Sequence, residues 1–170
     1  MRKKFDSGTY YYFLLSHTIT MDTLRMGEKV IINIPVFGKP YIVKGLKDEL
    51  EDIQKVVGGY IELLNKKYIR THPMFKRADK RWEMCEKLMK GNCKVYVNEN
   101  GRRTECPNMA LGFPFFNEDG KVGGVNNLFG NVAIVVLFDY IKNKNYHIGE
   151  NAFKVKELNE ESDSESEEED

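Results

Sequence analysis

The apolar residues of this chain change period across one pair of glycines, Gly58 and Gly59. Before the pair, Leu46, Leu50, Ile53 and Val57 recur at helical spacing, with Lys47, Asp48, Glu51, Asp52 and Lys55 on the other face. After it, Tyr60, Ile61, Leu63 and Leu64 crowd five positions in the manner of a strand. A glycine in the left-handed conformation ends a helix without a steric penalty. The spacing therefore predicts helix, tight turn and strand as one compact unit, and places the chain among folds that mix helix with sheet.

Other segments extend this pattern. Residues 9–15, 29–37, 41–43 and 93–97 read as strands, and 132–138 (VAIVVLF) reads as a buried one. Pro35 and Pro40 point to an irregular or edge strand at 29–43, because proline cannot donate to a ladder. Phe75, Ala78, Trp82, Cys85 and Met89 alternate at spacings of three and four, with Leu88 beside them. They predict a second helix over 73–90, capped near Thr71 and ending near Gly91. Residues 102–131 carry seven Gly or Pro and read as irregular, with a short helix at 108–111. The expected fold is one α+β domain over residues 8–150. It has a mixed or mostly antiparallel sheet and two principal helices. A basic segment, 1–7, precedes it, and an acidic disordered tail, 151–170, follows.

Charge divides the chain more sharply than hydropathy. The formal net charge is zero, yet residues 157–170 hold nine Asp or Glu and no Lys or Arg. Residues 1–156 therefore carry a net charge of +9. Nine basic and three acidic residues fall within 66–90, so this helical insertion holds most of the excess. There is no apolar run of about 18 residues, so no transmembrane helix is expected, and residues 9–15 do not read as a signal peptide. Three cysteines, Cys85, Cys93 and Cys106, are an odd and sparse set that suits reduced thiols inside a cell.

The order of the pieces from 31 to 136 resembles a family of small uncharacterised α+β domains of phages, mobile elements and large DNA viruses. The likeness rests on the helix running into Val57-Gly58-Gly59-Tyr60-Ile61-Glu62, and on a strand ending in Asn98-Glu99-Asn100-Gly101. Asn108 and Ala110 follow, and then Gly130-Asn131 ahead of an apolar strand. It covers about 90 residues. The chain departs from the family pattern in the insertion at 66–90, the N-terminal strands and the acidic tail. The resemblance implies a fold and a viral or mobile-element origin. It implies no reaction.

Three groups of residues are candidates for function. Lys66, Lys67, Arg70, Lys76, Arg77, Lys80 and Arg81 lie close together, with Tyr68, Phe75 and Trp82 among them. Such cations neutralise phosphates and release counterions, and aromatics stack on bases. The alternative is a solvated helix face whose aromatics pack inward. Ser162, Ser164 and Ser166 each precede an acidic residue by three positions, as in acidophilic kinase sites. The tail could recruit a basic protein, fold back over 66–90, or serve only solubility. Glu62 beside Gly58, Gly59 and Tyr60 could act as a base or bind a nucleotide, or simply face solvent on its strand. With no Cys-x-x-Cys, no His-x-x-x-His and no close Cys/His pair, neither a metal nor a cofactor is expected. The leading expectation is an intracellular, non-enzymatic accessory or binding protein of a large DNA virus or mobile element. The alternatives are a nucleic-acid binder using 66–90, and a small nucleotide-binding domain or enzyme around Glu62.

Overall fold

Lys29–Ile34 and Val132–Leu137 are apolar at nearly every position, and they form the centre of the molecule as neighbouring antiparallel strands. A computed structural model describes residues 24–44 and 48–158. Among these, nine strands and five helices follow one another. The strands are β1 (Lys29–Ile34), β2 (Tyr41–Lys44), β3 (Ile61–Leu63), β4 (Arg70–Thr71), β5 (Lys94–Asn98), β6 (Pro107–Phe116), β7 (Val122–Phe129), β8 (Val132–Leu137) and β9 (Lys154–Glu157). The helices are α1 (Glu49–Val57), α2 (Pro73–Ala78), α3 (Lys80–Met89), α4 (Gly101–Thr104) and α5 (Phe138–Asn143). A six-stranded sheet runs β3-β5-β8-β1-β2-β9, antiparallel except for the β2·β9 pair. A three-stranded antiparallel sheet, β4-β6-β7, lies beside it. The expected α+β class with a mixed sheet is present.

Both faces of the large sheet are covered, which explains why its central strands do not alternate. Val30, Ile32, Ile34, Ile134 and Val136 join a large core with Trp82, Leu88 and Met89 of α3, Phe138 and Ile141 of α5, and Phe153. The intervening Ile31, Ala133 and Val135 pack on the other face with Ile53, Val56 and Val57 of α1. The period-two geometry of a strand thus serves two layers at once.

Gly58 takes the left-handed conformation expected of a helix end, with φ 85°, and its N–H donates to Gln54 O at 2.8 Å. Asp48 accepts from the Glu51 N–H at 3.0 Å and starts α1. The buried face of α1 differs from the expected one. Leu50 is 53% exposed, and Asp52, Ile53, Val56 and Val57 face inward. Leu46 lies outside the described residues, as do residues 1–7 and 9–15 and the candidate sites Ser162, Ser164 and Ser166.

Four further expectations need correction. Neither β1 nor β2 is an edge strand, because Pro35 and Pro40 sit just beyond their ends. The helix expected over 73–90 is two helices. Asp79, extended at φ −152°, ends α2 and caps α3 by accepting the Arg81 N–H at 2.9 Å. His72, not Thr71, caps α2, its Nδ1 accepting from the Met74 N–H at 3.1 Å. Residues 107–129 are a long hairpin, with no helix at 108–111. Gly120 makes its turn, at φ 83°, while Gly112, Gly123 and Gly124 answer to packing: a side chain at Gly124 would meet the Phe115 ring at 2.8 Å. The domain also continues past residue 150. Ala152 and Phe153 are buried, and β9 pairs with β2, so residues 151–158 belong to the fold.

Candidate polyanion-binding surface

Four of the seven candidate cations in 66–81 are committed to folding. Arg81 is buried. Its Nε donates to Ala152 O at 2.9 Å, its Nη2 to Glu150 O at 3.2 Å, and its Nη1 lies 3.5 Å from Asp79. Lys76 pairs with the buried Glu86 at 2.6 Å. Lys66 donates to Met89 O at 3.0 Å and to Gly91 O, closing the carbonyl end of α3. Arg70 folds back on Lys67 O and Ile69 O. Lys67, Arg77 and Lys80 are exposed, Lys67 lying over the Tyr68 ring at 5.6 Å. Phe75 and Trp82 meet edge to face at 5.2 Å and pack inward, so they present no stacking platform.

The residues that carry the family resemblance also hold backbone. Asn98 Nδ2 donates to Val57 O at 3.2 Å, and Asn98 Oδ1 accepts from Asn100 N. Asn98 also backs Gly59, where a Cβ would sit 2.8 Å from the amide nitrogen. Asn108 is fully buried and donates to Ile34 O and Gly130 O at 3.2 and 3.1 Å. Asn131 bridges Val56 O and Val36 N. These side chains tie α1, β1, β5, β6 and β8 together where each chain segment turns. Glu62 is exposed on the edge strand β3, and Tyr60 beside it is exposed. Neither lines the two clefts described next.

A different set of cations converges at one end of the large sheet. Register places Lys29 opposite Leu137, and Lys94 opposite Val135. Cross-strand partners share a face, so both lysines stand on the α1 side. They line a cleft of about 170 Å³ with Glu49, Asn92 and Cys93. A second cleft, of about 160 Å³, opens where α3 and α5 end, lined by Lys87, Lys90, Lys144, Tyr140 and Tyr146. The two clefts share Asn92 and Val136, so they adjoin around the turn between α3 and β5. Five lysines and one carboxylate, Glu49, line them.

These lysines are held loosely. Lys29 pairs with Glu49 at 3.1 Å, with side chains 58% and 49% exposed. Lys87 pairs with Glu83 at 3.7 Å on the helix surface. Exposed pairs of this kind are worth roughly 0–1 kcal/mol and exchange readily for another anion. Lys90, Lys94 and Lys144 form no ion pair among the described residues. Burial raises the Tyr146 hydroxyl pKa, and nearby Lys87 partly offsets this. Burial likewise raises that of Cys93, with Lys66 opposing, and its Sγ donates to Leu88 O at 3.3 Å. Both groups are therefore neutral near pH 7 and leave the positive field of the lysines intact.

Of the 66–90 segment, Lys87 and Lys90 line the second cleft, whereas Lys66, Lys67, Arg70, Lys76, Arg77, Lys80 and Arg81 line neither cleft. Lys66 holds the Gly91 carbonyl, next to Asn92, on which the new surface is centred. Lys29, Lys94 and Lys144 were missed because they are scattered in sequence and meet only through strand register. Among the described residues, no group of three His, Cys, Asp or Glu side chains is arranged to hold a metal. No helix there is long and apolar enough to cross a membrane. Comparison with family models, curated proteins and solved structures finds no match to this chain.

Proposed function

We propose that this protein is a non-enzymatic binding protein, of the large-virus or mobile-element kind its motifs resemble, that holds the phosphate backbone of a nucleic acid on the basic end of its large sheet. The observation that carries this reading is the convergence of Lys29, Lys87, Lys90, Lys94 and Lys144 on two adjoining clefts lined by a single carboxylate. Lysine is a flexible point charge suited to phosphate without fixed geometry. The clefts offer no exposed aromatic for base stacking, since Tyr146 is buried and Tyr140 is partly buried. The mode of binding is therefore backbone neutralisation, tolerant of sequence and steeply dependent on salt.

A salt titration of the full chain against a fluorescent DNA oligonucleotide tests this. Three to five phosphate contacts give a slope of roughly −2.7 to −4.5 in log affinity against log salt for duplex DNA. A flat line, or no binding at low salt with or without the C-terminal residues, contradicts the reading.

A further inference from the structure

The exit of the chain bears directly on this surface. Leu158, the last described residue, follows β9, and its N–H donates to Lys44 O at 2.9 Å. Register shows which end of the sheet that is. Glu157 pairs with Lys44 in β2, Val43 with Ile31 in β1, Lys29 with Leu137 in β8, and Val135 with Lys94 in β5. The chain therefore leaves the fold at the same end of the sheet as the lysine clefts. From β9 to β5 is four strand spacings, about 19 Å. The twelve residues 159–170 reach about 40 Å when extended, so they span the whole surface.

Their charge fits it. Residues 159–170 carry eight Asp or Glu and no Lys or Arg. Five lysines and one carboxylate line the clefts within their reach. A tethered anion faces its site at a high effective concentration, in the millimolar range for short flexible linkers, so even weak contacts are populated. The first step of the path is already ionic: Lys44 pairs with Glu157 at 3.1 Å.

We infer that residues 159–170 are the resident occupant of the lysine clefts, an acidic strap that a nucleic acid must displace. The inference rests on the clefts being a polyanion surface, as proposed above. It makes the tail a competitor that sets the threshold for binding, so that only a polyanion denser in charge than the strap gains access. Lys67, Arg77 and Lys80 lie outside the clefts and are not covered by it.

Carbodiimide cross-linking tests the inference directly, because it joins carboxylates to amines in contact. On the full chain at low salt, mapped by mass spectrometry, the strap is expected to join Lys94, Lys144 or Lys90, with the products lost at about 0.5 M salt. Links confined to Lys67 or Lys80, to Lys3 or Lys4, or only between molecules overturn it. A second arm compares DNA affinity of the full chain with that of a chain ending at Leu158, which keeps every described residue. We expect roughly a tenfold gain on removal at about 50 mM salt, shrinking as salt rises. A variant with the eight acids changed to Gln or Asn should reproduce the gain. Equal affinity of the full and shortened chains overturns the strap but leaves the binding surface standing. Binding by neither chain overturns the surface, and the cross-links then decide the strap alone.

Discussion

Two groups of cations in this molecule look alike in composition and differ in what they do. Residues 66–81 hold the densest run of positive charge, and folding consumes four of its seven cations: Arg81, Lys76, Lys66 and Arg70 each bind a carboxylate or a carbonyl of the same chain. The sheet end gathers lysines from β1, α3, β5 and the residue after α5, and none of the five is buried. A cation next to its counter-charge in the fold is part of the scaffold. A cation with no ion-pair partner or only an exposed one, converging with others on a concavity, is available to a ligand. Charge density along a chain does not separate the two, and strand register does.

The comparison breaks first at Arg81. Arg81→Ala leaves the Ala152 and Glu150 carbonyls without their side-chain donor and Asp79 with only Lys39 and the residue-81 backbone N–H, and should destabilise the protein by about 2–4 kcal/mol in urea unfolding. A loss below about 1 kcal/mol would return Arg81 to the pool of available cations. Lys76→Ala strands the buried Glu86 less completely, since Lys76 is partly exposed, and should lower stability by about 1–2 kcal/mol. By contrast, Lys94→Ala and Lys144→Ala should change stability by no more than about 0.5 kcal/mol.

What the sequence disclosed divides along the same line. The αβ unit, the central strands and the inward Phe75, Trp82 and Met89 were legible because their signals are local: apolar period, a glycine stop, a 3-4 spacing. The hairpin at 107–129 was not, since Gly112, Gly123 and Gly124 serve close packing against Asn126 and Phe115 yet read as turn signals like Gly120. The break at Asp79 was masked because the apolar stripe runs on across it from Phe75 to Trp82. The strand β9 was hidden by its charge: Lys154, Lys156 and Glu157 leave only Val155 as an inward anchor. The lysine clefts could not be read at all, because nothing local links Lys29 to Lys94 or Lys144.

The smallest effect concerns His147, three residues past Lys144. His147 packs edge-on against Phe138 at 5.6 Å, and its Nδ1 is buried with no hydrogen-bond partner among the described residues. Burial, with Lys142 nearby, lowers its pKa from the usual 6.5. The folded state then binds fewer protons than the unfolded one, so this contribution is complete above about pH 6.5 and declines as pH falls through the unfolded value toward the folded one. Melting temperature should drop on acidification across that window, and His147→Gln should flatten the drop. An unchanged slope in the variant would assign the pH dependence elsewhere.

The central claim is that the sheet end, and not the run of cations from Lys66 to Arg81, is the polyanion surface. Its most direct measurement is the DNA affinity and salt slope of two double variants beside the unaltered chain: Lys94→Glu with Lys144→Glu, and Lys67→Glu with Lys80→Glu. At about 0.1 M salt each lost phosphate contact is worth close to tenfold. The account predicts that the first variant loses at least about tenfold in affinity, and about one to two units of slope, with its melting temperature unchanged. It predicts that the second stays within about threefold of the unaltered chain. The reverse pattern, with affinity falling on Lys67→Glu and Lys80→Glu and surviving Lys94→Glu and Lys144→Glu, would contradict it.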